Sequence, residues 1–140
     1  MENKRINHLS VFVAAIPYIL FGYPWFSIFR DPWFEGGGLT VEQLMNGPGY
    51  LTAFSVAIIS SILMSYVLRF FITRTGKLTV SRGVKIAFFI WAGFILPLLA
   101  TQYTFEARSF AYFAITCGYP LVGLFLMGII LGSWKQKMVV

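Results

Sequence analysis

The chain is 140 residues long, the length of one domain, and 58% of its residues are hydrophobic while only 11% are charged. Soluble domains carry about 25% charged residues, so this chain has too little charge to cover a water-soluble globule. Its formal net charge of +6 would suit a nucleic-acid partner, but the basic residues lie next to apolar segments and the sequence shows no RNA- or DNA-binding motif. Membrane topology and anionic lipid headgroups explain these charges better.

Four segments of the sequence contain no Asp, Glu, Lys or Arg. Each has about the twenty residues that a helix needs to cross a hydrocarbon core of ~30 Å. Lipid offers no partners to backbone amides, so each segment is expected to be helical. The helices of a soluble bundle would carry a polar stripe, whereas these segments are apolar nearly all round. We therefore predict an all-α integral membrane bundle, a single membrane domain over 1–140, with four transmembrane helices at about 9–29, 50–72, 86–105 and 109–134.

Two basic residues, Lys4 and Arg5, precede the first apolar segment, as they would in a secretory signal peptide. A signal peptide would end after a shorter apolar run at a small-residue cleavage site. Here the segment continues through Pro24, Trp25 and Phe26, so it is predicted to be retained as a transmembrane helix. Its prolines are expected to bend it, because each one removes a backbone donor and crowds the preceding turn.

The connection between the first two helices carries signals for turns and for a short helix. Asp31-Pro32 and the glycine run 36–38 predict turns. Thr40 fits a helix N-cap, and Gln43, three residues later, completes a capping box. Gly47 and Pro48 provide a stop. We therefore predict a short interfacial helix over about 41–46.

The second apolar segment carries a ridge of small side chains. Small residues recur along it at four-residue spacing, so in a helix they share one face and would let another helix approach closely. The ridge consists of Ala53, Ala57, Ser61 and Ser65. It favours packing within one copy of the chain, and the alternative is a homodimer or a docking face for another membrane protein. Gly128 and Gly132 form a second pair of this kind in the fourth segment.

The basic residues predict the orientation of the protein. With four crossings, the N-terminus, the loop after the second helix and the C-terminus share one side, which holds nine basic residues and one acid, whereas the opposite side holds two basic residues and four acids. The positive-inside rule then places both termini in the cytoplasm, and we expect the bacterial cytoplasmic (inner) membrane. The nine residues are Lys4, Arg5, Arg69, Arg74, Lys77, Arg82, Lys85, Lys135 and Lys137.

Groups suited to catalysis or metal binding are few. The sole histidine, His8, lies on the predicted cytoplasmic side, and every acid except Glu2 lies on the other side. A Ser-His-acid triad could therefore form around His8 only with Glu2. One histidine and the single Cys117 cannot build a zinc or bis-histidine haem site within one chain. We predict no catalytic, cofactor-binding or metal-binding residues. The four remaining acids could hold a hard cation such as calcium, but a solvated acidic rim is favoured; they are Asp31, Glu35, Glu42 and Glu106.

Several short motifs, in their order and spacing, resemble the bacterial four-helix membrane family known as domain of unknown function 1761. The resemblance covers nearly the whole chain and implies the four-helix architecture without supplying an activity. This chain has Phe26 where the family tends to have Tyr, and Pro120 where the family often has His. Among the matching positions, the polar candidates are Glu106 and Arg108, with Trp25 and Tyr119 beside them. The motifs are Pro24-Trp25-Phe26-Ser27, the stretch before Leu39-Thr40, Trp91-Ala92-Gly93-Phe94 with Pro97, Phe105-Glu106-x-Arg108, Gly118-Tyr119, and 128–134.

These features favour a non-enzymatic component of the lipid bilayer that associates with its own copies or with another membrane protein. We expect no nucleic-acid partner. The alternative is a small transporter or channel for an apolar or weakly polar solute. Proton-coupled carriers usually keep an ionisable residue within the membrane, and the four segments have none. Transport would therefore depend on hydroxyls such as those of Tyr18, Thr101 and Thr116, and on backbone opened near prolines. An enzyme acting on lipid is the third reading.

Overall fold

The structure, a computed structural model, describes residues 6–134, which form helices joined by short loops. Four of its helical stretches are long and apolar enough to cross a membrane, and the predicted all-α membrane bundle is confirmed. The orientation prediction also uses charged residues near the ends of the chain, and these lie outside the described residues. They are Glu2, Lys4, Arg5, Lys135 and Lys137. The helices are α1 (His8–Ile28), α2 (Arg30–Gly37), α3 (Val41–Met45), α4 (Tyr50–Arg74), α5 (Val80–Ile90), a π-helical turn (Trp91–Ile95), α6 (Leu96–Phe105) and α7 (Phe110–Ser133).

Polar side chains mark the starts of four helices, as the sequence signals suggest. Asn7, Thr79 and Ser109 each accept a hydrogen bond from the backbone N–H three residues later and so cap α1, α5 and α7. Thr40 and Gln43 form the complete capping box that the sequence predicts at α3. The short helix in the first loop is therefore present, with its end at Met45.

The first loop contains a helix where we predicted a turn. Asp31-Pro32 lies in the first turn of α2, so the turn prediction at this dipeptide is wrong. Proline is accommodated here because the first N–H groups of a helix have no partner within it, and the Asp31 carboxylate favours the positive end of the helix dipole. The chain does turn at Gly38, whose φ of 60° is the left-handed conformation that ends many helices.

The third crossing starts earlier than the charge-free segment suggested and contains a π-helical turn. It begins at Val80, so that Arg82 and Lys85 lie on the first turns of α5. At the other end of α5, the N–H of Leu96 bonds to the carbonyl oxygen of Trp91, five residues back. Pro97, which has no N–H to donate, follows at once, and it marks the place where the regular pattern of hydrogen bonds is interrupted.

Helix α7 forms the centre of the bundle, since it packs against α1, α2, α4, α5 and α6. Its closest neighbour is α5. A Cβ atom added to Gly83 would meet the backbone of Gly128, and one added to Gly132 would meet the backbone of Thr79. The Gly128 and Gly132 pair therefore serves packing inside one copy of the chain, where bare backbones approach each other.

The bundle is closed in one half and open in the other. The buried core lies in what we call the terminal half, formed by the start of α1, the end of α4, the start of α5 and the end of α7. The opposite half, the distal half, carries α2, α3 and the loop between α6 and α7. In the distal half, the α4 residues 50–60 are all exposed. The core residues are Ala14, Leu68, Ile72, Ala87, Leu124, Met127 and Leu131.

Candidate functional site

The four polar candidates from the sequence lie in two places in the distal half. Trp25 and Tyr119 lie at the contact between α1 and α7, within one aromatic cluster. Phe21 joins them, because its ring centroid is 5.5 Å from that of Trp25 and 6.1 Å from that of Tyr119. Glu106 and Arg108 lie in the loop between α6 and α7.

Tyr119 and Trp25 both bind backbone carbonyls across the helix contact. The hydroxyl of Tyr119 donates to the carbonyl oxygen of Tyr18 at 2.7 Å. The indole N–H of Trp25 donates to the carbonyl oxygen of Ile115 at 3.1 Å. Each ring therefore hides a polar group and places its apolar body between the helices. Both side chains act first as cross-links between α1 and α7.

Trp91, a matching position that was not among the polar candidates, makes the same kind of contact from the other side of α7. Its indole N–H donates to the carbonyl oxygen of Cys117 at 2.9 Å. Trp25 and Trp91 thus bind the carbonyls on either side of Thr116. The carbonyl of Thr116 itself lacks its usual helical donor, because the residue four positions later is Pro120.

Arg108 joins the loop between α6 and α7 to the end of α2. Its guanidinium donates to the carbonyl oxygen of Gly37, and the N–H of Ser109 donates to that of Gly36 at 3.1 Å. These are carbonyls at the C-terminus of α2, where a cation is favoured by the helix dipole. Arg108 is held in place by an ion pair with Glu106 at 3.3 Å. The arginine therefore has a structural role in the distal half.

Glu106 accepts hydrogen bonds at both carboxylate oxygens. Gln102 donates at 3.1 Å and Arg108 at 3.3 Å. These hydrogen bonds, that of Gln102 first, lower the pKa of Glu106 below its usual value. Because the pKa is lowered in the folded chain, any stabilisation from this carboxylate is present at neutral pH and is lost as the pH falls through the lowered value. Glu106 is therefore an anion at neutral pH.

A cavity of about 160 Å³ lies between α6 and α7, with Glu106 in its wall. Thr116 lies in the same wall, and its hydroxyl oxygen is buried without a hydrogen-bond partner among residues 6–134. Aromatic rings supply much of the remaining wall. The residues that line the cavity are Leu99, Gln102, Tyr103, Glu106, Tyr112, Phe113 and Thr116.

A second, wider groove of about 380 Å³ lies between the distal end of α1 and helices α2 and α3. Its charged group is Arg30, which lies over the ring of Phe34 at 5.4 Å. Trp33 also lines this groove and is stacked on Tyr112 with 6.5 Å between the ring centroids. Within residues 6–134, no group of three or more His, Cys, Asp or Glu side chains is placed so that it could hold a metal ion.

The small-residue ridge of α4 is divided between the two halves of the bundle. Ser61 and Ser65 are fully buried in the terminal half, and the hydroxyl of Ser65 donates to the carbonyl oxygen of Val11 at 2.9 Å. Ala53 and Ala57 are exposed in the distal half. One part of the ridge thus packs inside the chain, and the other part has no helix against it in the described structure.

Arg69 is a buried residue that the sequence did not single out. It was counted with the basic loop, but α4 continues to Arg74, and Arg69 is fully buried. Its Nη1 donates to the carbonyl oxygen of Leu131 at 2.8 Å, near the end of α7, while Nε and Nη2 have no partner among residues 6–134. The arginine therefore caps the C-terminus of α7. The apolar residues that follow Arg69, as far as Ile72, indicate that the helix continues past it, but they do not indicate its contact with α7.

These features define the class of the protein. Four membrane-length apolar helical stretches, with α7 at their centre, make it a multi-pass membrane bundle. Residues 9–132 match the family model described as protein of unknown function (DUF1761), and the chain belongs to this family. The resemblance that the motifs indicate is thereby confirmed. Neither a search of curated proteins nor a search of solved structures found a match.

Proposed function

We propose that this protein is a non-catalytic interaction component of the membrane that associates with a second copy of itself through the distal half of α4. The observation that carries this proposal is the exposure of every α4 residue from 50 to 60, in a helix whose other half is packed into the core. Ala53 and Ala57 lie on one face there, and small residues allow the close helix contacts on which association in lipid depends.

The proposed location is the bacterial inner membrane, with both termini in the cytoplasm. The support is the charge distribution, because the terminal side carries nine of the eleven Lys and Arg residues. In this orientation the distal half, with α2, α3 and the free part of α4, faces the outer leaflet.

Replacing Ala57 with Leu tests the proposed contact. Ala57 is exposed within one chain, so Ala57→Leu should leave the free energy of unfolding unchanged. It should weaken association about fivefold to a hundredfold, because forcing extra methylenes into a packed contact costs ~1–3 kcal/mol. Energy transfer between labelled copies in lipid vesicles, at a fixed ratio of protein to lipid, measures the dimer fraction.

The matched control is Ser55→Leu, which adds bulk on the opposite face of α4. Ser55 bonds only to the carbonyl of Leu51 in its own helix, so this variant should associate like the wild type. A wild-type protein that is monomeric at every lipid ratio, or equal association of Ala57→Leu and the wild type, would overturn the proposal.

Transport of a small solute is a second candidate, which the cavity between α6 and α7 favours. Its wall combines a carboxylate, hydroxyls and aromatic rings. A solute crossing the bilayer would also have to pass the terminal half, where Leu68, Met127 and Leu131 are fully buried. Native mass spectrometry separates the two candidates, because a dimer with no bound solute supports association, and a bound small molecule supports transport.

A further inference from the structure

We propose that the groove between the distal end of α1 and helices α2 and α3 binds a phospholipid. The guanidinium of Arg30 donates to the phosphodiester, and the apolar wall of the groove contacts the start of the acyl chains. Neither Ala53 nor Ala57 lines this groove, so its test does not depend on association through α4. Three features of the groove point to this ligand.

The first feature is the level of the groove along the bundle. Helix α1 has 21 residues without Asp, Glu, Lys or Arg, so at 1.5 Å per residue it spans about the thickness of a hydrocarbon core. Arg30 comes two residues after its end. Trp33 and the exposed rings of Tyr23 and Tyr50 line the same groove, and such aromatic residues are typical of the headgroup level. The groove therefore lies where the phosphates of one leaflet are.

The second feature is an exposed cation that no carboxylate neutralises. Arg30 is exposed, and its guanidinium lies over the ring of Phe34 at 5.4 Å. Stacking covers a face of the guanidinium and leaves the N–H groups in its plane for an anion, in the geometry that suits phosphate. The ion pair within residues 6–134 joins Glu106 and Arg108. No acid lines the groove, so its charged group is a cation.

The third feature is an apolar wall that nothing in the described chain covers. Val41 and Leu44 of α3 line the groove, and they remain 53% and 39% exposed. Apolar side chains at this level are favoured against lipid carbons. The volume of about 380 Å³ is near the lower end of the usual range for ligand pockets, ~300–1,000 Å³. It admits a phosphate with the first carbons of the chains.

A hydroxyl beside the cation adds a second donor for the phosphate. Ser27 lines the groove three residues before Arg30. Ser55 and Ser61 donate to carbonyls of their own helix, whereas Ser27 makes no such bond within the described residues. Because Ser27 is exposed, a ligand in the groove can reach its hydroxyl.

The test is native mass spectrometry of the full chain, delipidated in detergent and titrated with dioleoylphosphatidylglycerol. Dioleoylglycerol, which has the same chains without the phosphate, is the comparator and should bind more weakly. Arg30→Gln should weaken binding of the first phospholipid about tenfold or more, because a guanidinium–phosphate contact is charged on both sides. Arg30→Lys, which keeps the charge without the planar fork, should recover part of the loss.

The matched control for charge is Arg74→Gln. Arg74 is also exposed and lies over an aromatic ring, that of Phe70, at 5.1 Å, but it does not line the groove. This variant should bind the first phospholipid like the wild type. A loss equal to that of Arg30→Gln would show attraction to any surface cation, and would contradict a site in the groove.

Ser27→Phe tests the groove without removing its charge. The added ring should fill the space beside Arg30 and weaken phospholipid binding about tenfold, while the free energy of unfolding stays unchanged because Ser27 is exposed. Ser55→Phe, at an exposed position of α4 outside the groove, should bind like the wild type. Unchanged binding by either Arg30→Gln or Ser27→Phe, or equal binding of dioleoylglycerol and the phospholipid, defeats the proposal.

A second copy of the chain is the other occupant that an uncovered apolar wall could take. If Ser27→Phe lowers the dimer fraction and leaves phospholipid binding unchanged, the groove is a protein contact and the lipid proposal is wrong. Ala57→Leu separates the two proposals in the opposite direction, because it should bind phospholipid like the wild type whether or not it weakens association.

Discussion

At the scale of single residues, several polar side chains in this protein bind backbone carbonyls of another segment. Trp25, Trp91 and Tyr119 join neighbouring helices in this way, and Arg69 and Arg108 bind carbonyls at the ends of α7 and α2. Lipid offers no water as a partner, so a side-chain N–H or O–H within the membrane needs such an acceptor.

The hydrogen bond of Trp91 can be tested by comparing two tryptophans. Trp91→Phe removes the donor to Cys117 along with part of the ring, whereas Trp33→Phe removes only ring area, because Trp33 makes ring contacts with Phe26, Phe34 and Tyr112. We expect Trp91→Phe to lower the free energy of unfolding in mixed micelles by about 1 kcal/mol more than Trp33→Phe does. Equal losses would show that the indole N–H adds nothing.

At the scale of helices, the closest packing is between α5 and α7. Gly83 and Gly128 meet backbone to backbone, so neither position has room for a side chain. The open positions lie elsewhere, in the distal half of α4 and at the π-helical turn, where a Cβ on Gly93 would have no neighbour within 4 Å.

Two glycine substitutions test this difference. Gly83→Ala should lower the free energy of unfolding by about 1–3 kcal/mol, because the added methyl meets backbone that cannot rotate away. Gly93→Ala is the control, and it should be neutral or slightly stabilising, since alanine favours helix over glycine. Unfolding titrations in mixed micelles measure both. If Gly83→Ala is as stable as Gly93→Ala, the two backbones are not in contact.

The sequence predicted local structure well where a pattern belongs to one helix. The capping box at Thr40 and the four long apolar helices are as expected. The sequence predicted less where packing against a neighbouring helix decides the structure. The small residues of the α4 ridge keep a four-residue spacing throughout, but within the described structure only Ser61 and Ser65 are buried against another helix. The burial of Arg69 depends on the end of α7, and no pattern within α4 contains that information.

At the scale of the whole molecule, the two halves of the bundle differ in packing and in charge. The terminal half holds the buried core and lies on the side with most of the basic residues. The distal half holds the cavity with Glu106, the groove with Arg30 and the exposed part of α4. If the protein crosses the membrane four times with its termini inside, every proposed binding surface is directed to the outer leaflet.

The most direct test of this arrangement is the labelling of single cysteines in intact cells with a membrane-impermeant maleimide. Glu42→Cys lies on α3, and Lys77→Cys lies between α4 and α5; both positions are exposed. The wild type, whose Cys117 is buried, gives the background. We predict that Glu42→Cys is labelled in intact cells and Lys77→Cys only after the cells are permeabilised. Labelling of Lys77→Cys alone, or of both variants, in intact cells would contradict the account.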